Sequence, residues 1–156
     1  MAGAGIEVKL DSEYQKILDA LKKAGSPELQ KLANFAGADL QDISGEAFKK
    51  EADPVTGIKW KAIKPRGKQA KRRGSTDSIL QDHGQLKRSL TWEAYPDGSV
   101  IFGSNMVYAR IHQQGGQAGR GHTSLIPARP YMGVPQDFDR RILNDPAVLE
   151  LLGLEA

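Results

Sequence analysis

The chain has 156 residues, 39% hydrophobic and 26% charged, with 22 Lys or Arg against 19 Asp or Glu. That is enough for one domain with its own core and short for two. The absence of cysteine excludes disulfides, thiolate catalysis and cysteine-held zinc or iron–sulfur groups, and no apolar run approaches a membrane span.

The start, MAGAGIEVKLD, lacks the basic segment and apolar stretch of a secretory signal, and the absence of cysteine fits an intracellular origin. Residues 6–10 alternate apolar and polar and predict an edge strand. Asp11 and Ser12 can cap a helix that carries Tyr14, Ile17, Leu18, Leu21 and Ala24 at helical spacing, with Gly25 as its stop. Ser26, Pro27 and Glu28 start a longer helix over residues 27–51. Its stripe of Leu29, Leu32, Ala33, Ala36, Leu40, Ile43 and Ala47, with Phe48 beside the end, suits a core face or a subunit contact. Gly37 and Gly45 count against an unbroken helix.

Residues 53–57, DPVTG, predict a turn, and Trp60 follows among lysines. Lys59, Lys61, Lys64, Arg66, Lys68, Lys71, Arg72 and Arg73 then form a basic block without an acid. Such a block suits nucleic acid, an acidic protein surface, or simply a solvated loop. No apolar periodicity runs through residues 61–75, and a long loop is expected there. Order resumes at Ile79 and Leu80, and residues 84–90 read as a helical turn leading into a strand. Residues 90–95 and 99–104 flank Pro96-Asp97-Gly98, the clearest hairpin in the chain.

Residues 106–114 predict a short helix. Residues 115–121, GGQAGRG, hold four glycines and predict a flexible loop over residues 115–125. It is tied to a stiff Ile126-Pro127-Ala128-Arg129-Pro130-Tyr131, because each proline fixes its own φ and extends the residue before it. Residues 135–143 suggest a helix with Phe138, Ile142 and Leu143 inward. Asn144, Asp145 and Pro146 break it, and residues 148–154 form an apolar tail. The order of helices, hairpin and helices argues for an α+β fold: N-terminal helices packed on a small antiparallel sheet, with long extended loops. One domain over residues 1–156 is expected.

Catalytic patterns are thin. His83, His112 and His122 form no i, i+4 pair and no HExxH, and neither a phosphate-binding glycine motif nor GxSxG occurs. No cofactor, metal or catalytic residue is expected, although a small hydrolase using His112 or His122 stays open. A nucleic-acid-binding protein using residues 59–73 is the stronger alternative, weakened by Trp60 being its one stacking side chain.

Several segments carry a resemblance. Phe48, Glu51, Asp53, Pro54, Gly57 and Trp60 give F..E.DP..G..W; Ile79 to Leu86 and Ser89-Leu90 follow, then Val100 and Gly103. Tyr108-Ala109, Ile111-His112-Gln113 and Gly115 precede Ile126-Pro127-Ala128-Arg129-Pro130-Tyr131-Met132-Gly133. Together, over about residues 45–140, they resemble the phage virion morphogenesis family of Mu-like and P2-like tailed phages. Where that family usually has threonine before Gly-x-Leu, this chain has His83. The resemblance implies a non-enzymatic tail completion, tail terminator or head–tail joining protein, found in the virion neck and assembled in the host cytoplasm. It implies a hexameric ring, with tail tube and connector proteins as neighbours, nonspecific contact with packaged DNA, and no membrane. The partner-facing residues expected are Lys64, Arg66, Lys68, Lys71, Arg72, Arg73, Arg120, His122, Arg129 and Tyr131. Ile126, Pro127, Arg129, Pro130 and Tyr131 are also expected to anchor the loop base, with Arg129 holding a carboxylate within or across subunits.

Overall fold

The structure, a computed structural model, describes residues 4–7, 27–64 and 77–152. The helix expected over residues 12–24 lies outside the described residues, as do Arg66, Lys68, Lys71, Arg72 and Arg73.

Helix α1 (Glu28–Lys50) is the spine. Glu28 sits in its first turn and Lys49 and Lys50 in its last, each complementing the helix dipole. The expected stripe is buried, with Leu32 and Phe48 wholly inside. At about 1.5–3 kcal/mol for each large apolar side chain, this face is the main source of the helix's stability. The helix ends at Glu51, whose left-handed φ of 50° turns the chain so that the Ala52 N–H also reaches the Ala47 carbonyl (3.1 Å), a position glycine commonly fills.

The two helix glycines leave α1 unbroken. Gly37 provides room: a Cβ there would lie 2.5 Å from the Trp92 ring. That close approach seats the helix on the sheet. Trp92 Nε1 donates to Gln41 Oε1 (3.1 Å), and Gln41 Nε2 reaches the Leu90 carbonyl.

The sheet has three antiparallel strands, β1 (Ala4–Glu7), β2 (Leu90–Ala94) and β3 (Val100–Ser104), with β3 central. Strand β1 starts two residues before the expected strand; its register sets Ala4 opposite Ser104 and Glu7 opposite Ile101. In the β2–β3 hairpin Leu90 faces Ser104 and Ala94 faces Val100. Its turn works as the Asp-Gly pair predicts. Gly98 takes a φ of 86°, and the Asp97 carboxylate accepts from the Ser99 N–H and hydroxyl. Before β2, a single helical turn α2 (Gln85–Arg88) buries Leu86.

Helix α3 (Ala109–Gln114) starts three residues later than expected. The largest correction follows it. The glycine segment is a second hairpin, β4 (Gly116–Ala118) and β5 (Ser124–Ile126), joined through a 3₁₀ turn at Arg120–His122. Its glycines are required by geometry. Gly115 takes a φ of 73°, and a Cβ on it would meet the Ala128 backbone N at 2.7 Å and the Ile126 carbonyl at 3.0 Å.

Helix α4 (Phe138–Leu143) buries Phe138 and Ile142 as expected. The supposed apolar tail is a helix, α5 (Pro146–Leu151). Asp145 caps it by accepting from the Ala147 N–H (2.9 Å), proline occupies its first turn, and Val148 is wholly buried. Arg141 pins α4 to α1 with two hydrogen bonds to the Asp39 carboxylate, at 2.7 and 3.1 Å. The α+β architecture is therefore as expected: α1 lies across β2 and β3, the short helices pack around it, and no helix among the described residues is long and apolar enough to cross a membrane.

Candidate functional site

Three of the motifs meet in one joint. At its centre is the segment 127–133, an extended strap without regular hydrogen-bonded structure. Among the described residues the strap has no strand beside it, and groups from elsewhere, mostly side chains, satisfy its backbone. Gln113, on α3, acts as a surrogate strand: its Oε1 accepts from the Tyr131 and Met132 N–H groups (3.0 and 3.1 Å), and its Nε2 donates to the Met132 carbonyl (2.7 Å). Trp60 Nε1 donates to the Pro130 carbonyl (2.8 Å), and the Arg129 N–H donates to the His112 carbonyl (2.8 Å).

The F..E.DP..G..W residues build the other half. Phe48 packs edge-on against Trp60, with ring centres 5.7 Å apart, and 5.4 Å from Tyr131. The Glu51 carbonyl accepts from the Trp60 N–H (2.8 Å), while its carboxylate accepts from the Ile79 N–H (2.7 Å). Gln81 Nε2 donates to the Phe48 carbonyl (2.8 Å). Asp53 closes the 53–57 turn by accepting from the Val55 N–H and the Thr56 hydroxyl, and Gly57 completes it at a φ of 70°. Gly133 lets the strap press onto that turn: a Cβ there would lie 2.4 Å from Val55.

Two of the residues expected to face partners are buried in the single chain. Tyr131 is wholly buried; its hydroxyl donates to the Ala109 carbonyl (3.0 Å), and burial pushes its pKa up to about 12. Arg129 is 7% exposed, and its Nε donates to the Lys61 carbonyl (3.0 Å), not to a carboxylate. Both side chains are buried in the single chain, where their hydrogen bonds tie the strap to Lys61 and to α3. Arginine is rarely buried, which is why sequence composition points it outward. Burial also lowers the Arg129 pKa.

The other expected contact residues are split. Lys64 is exposed and Arg120 is exposed in the 3₁₀ turn; His122 belongs to the same turn. Trp60 is 6% exposed and already hydrogen-bonded, so the basic block lacks the stacking side chain that a single-strand binder uses. Of the histidines, His83 and His112 line one cavity of about 410 Å³ with Tyr108, Asp82 and Arg129. His112 is held below its usual pKa by burial and then by the Arg129 charge. Among the described residues no group of three His, Cys, Asp or Glu side chains is placed to hold a metal ion.

The outward-facing part of this region is the β4–β5 hairpin. It packs mainly on itself, and Leu125, paired with Gln117, is 78% exposed. Two three-residue strands make a ribbon that is marginal alone and leaves both edges unpaired among the described residues. Leu125 and Gln113 are absent from the expected set. Gln113 stands in the Ile111-His112-Gln113 motif, but its role depends on a strap 18 residues further along, which local spacing does not reveal.

The sequence profile of the phage virion morphogenesis family matches residues 10–148. Protein G of Escherichia phage Mu, whose name gives it a provisional part in capsid assembly, is 29% identical over 143 residues, covering 89% of this chain and 91% of that protein. A Mu-like prophage protein of Haemophilus influenzae, FluMu G protein 2, is 31% identical over 140 residues, covering 90% of this chain and 91% of its own length. No solved structure matches.

Proposed function

The chain belongs to the phage virion morphogenesis family, and on that premise we propose that it is a structural protein of a tailed phage that closes into a ring in the virion neck. The ring holds six copies, completes the head-proximal end of the tail, and meets tail tube and connector proteins. The role is assembly and involves no catalysis; the name of the phage Mu relative supports that class of function.

One observation carries the reading. A short ribbon with unpaired edges and an exposed leucine stands on a joint built from the family-like motifs. A ribbon edge is a template for pairing with another chain, and repeated head-to-tail contacts related by a closing rotation make a ring. The joint supplies rigidity, because Gly115 and Gly133 fit against backbone and turn without slack. The ribbon therefore reaches the neighbouring subunit in a set direction, which limits the ordering cost of association.

Leu125→Ser tests this. Leu125 is largely solvent-exposed, so the single chain should keep its stability within about 0.5 kcal/mol. Sedimentation velocity over a concentration series, with and without tail tube protein, should show wild-type rings and a variant that stays a single folded chain. A variant that assembles as well as wild type removes the ribbon from the interface.

A further inference from the structure

We propose that the cavity walled by Arg129, His112 and Tyr108 is a carboxylate-binding site, taking either an acidic side chain of an adjoining polypeptide or a free small carboxylate. The site does not depend on the ring, since its walls all come from one chain.

Arg129 is more than nine-tenths buried, yet among the described residues its only side-chain hydrogen bond is from Nε to the Lys61 carbonyl. No carboxylate lies within ion-pair distance of it among those residues, and no acid occurs in the sequence between Lys64 and Asp77. A buried guanidinium that keeps its charge without a counter-ion is costly, and such groups are normally paired. The terminal nitrogens form the planar fork that matches a carboxylate's two oxygens.

The cavity supplies the space. It holds about 410 Å³ and is lined by Ile63, Leu80 and Leu86 as well as the polar groups. The lining mixes those three apolar side chains with Asp82, His83, Gln85, Tyr108, His112 and Arg129, and a few convergent polar groups of this kind can orient a small ligand. A second polar atom also lacks a partner: His112 Nδ1 is buried with no hydrogen bond. His112 stands edge-on to Tyr108, with ring centres 5.8 Å apart, on the same wall. Its pKa is lowered partly by the Arg129 charge, so an anion bound there relieves both groups at once. Asp82 and His83, 3.9 Å apart, stand on the same lining, so a bound carboxylate has to seat on the Arg129 and His112 side of the cavity.

The test uses the full chain, ¹⁵N-labelled, with the Arg129 Nε–Hε signal assigned through the backbone. Sodium glutarate is added at matched ionic strength against sodium chloride and sodium sulfate, first in dilute single chains. A saturable Arg129 shift with glutarate alone, accompanied by a rise in the His112 pKa, supports a free-carboxylate source. A shift that arises on self-association or on adding tail tube protein, and that glutarate reverses, supports an acidic side chain of the neighbour. No shift in either arm, or equal shifts with all three salts, overturns the proposal. Arg129→Gln keeps a donor for the Lys61 carbonyl and should lose the glutarate-dependent rise in melting temperature. An equal rise in the folded variant also overturns it. Should that variant not fold, the wild-type titration decides.

Discussion

Gly115→Ala probes the joint directly. Gly115 has φ 73° and ψ −179°, a region that is nearly glycine-only and costs about 1–3 kcal/mol for a residue with a Cβ. The new Cβ would also lie 2.7 Å from the Ala128 N and 3.0 Å from the Ile126 carbonyl. Both are backbone atoms, so no rotamer change relieves the clash. The strap or strand β5 must move, which disturbs the Arg129 N–H bond to His112 and the Gly116–Ile126 pairing. Each bond is worth about 0.5–1.5 kcal/mol, for a total of about 2–6 kcal/mol with the strain. Gly119→Ala is the matched control. Its φ of 82° and ψ of 176° impose a similar strain, but the nearest atom to its Cβ is the Ser124 hydroxyl at 3.6 Å. It should lose only the strain of about 1–3 kcal/mol. Urea denaturation followed by circular dichroism gives both values. Equal losses in the two variants, or no loss at Gly115, would refute the view that the hairpin is locked to the strap by backbone contact.

Other outcomes follow from the same geometry. Gly45→Ala has nothing within 4 Å of its Cβ and should raise stability by about 1 kcal/mol, whereas Gly37→Ala, with a Cβ 2.5 Å from Trp92, should lower it and quench or shift Trp92 fluorescence. Tyr131 has a folded pKa of about 12 against about 10 when unfolded, so its contribution is full below pH 10 and is lost as pH rises toward 12. The loss is at most about 3 kcal/mol, and Tyr131→Phe should flatten that part of the stability–pH curve while costing about 1–2 kcal/mol at neutral pH for the unsatisfied Ala109 carbonyl. His112 has a lowered folded pKa, so stability is full above about pH 6.5 and falls as acid charges the unfolded chain first. His112→Gln should reduce that acid slope, measured by thermal melts from pH 7.5 to 5.

What the sequence displayed was local. The α1 stripe and the Asp-Gly hairpin follow from spacing and turn chemistry, and both elements are where those rules put them. The joint was not readable, because its contacts span long separations: Trp60 meets Pro130 and Arg129 meets Lys61. Glycine misled in the opposite direction. In residues 115–121 it suggests freedom, whereas here it supplies backbone angles that a short hairpin needs. Arg129 and Tyr131 stand in the sequence as both partner-facing and anchoring candidates, since neither neighbouring proline tells how deeply a side chain beside it is buried. Leu125 shows the converse case: an apolar residue on a surface, in a strand too short to have announced itself.

The central claim is a ring in the virion neck, and reconstruction of the intact virion tests it most directly. The account predicts six copies of this chain at the head-proximal end of the tail, with each β4–β5 ribbon against the next subunit. Density for the chain in the capsid shell, a single copy, or its absence from mature particles would contradict it.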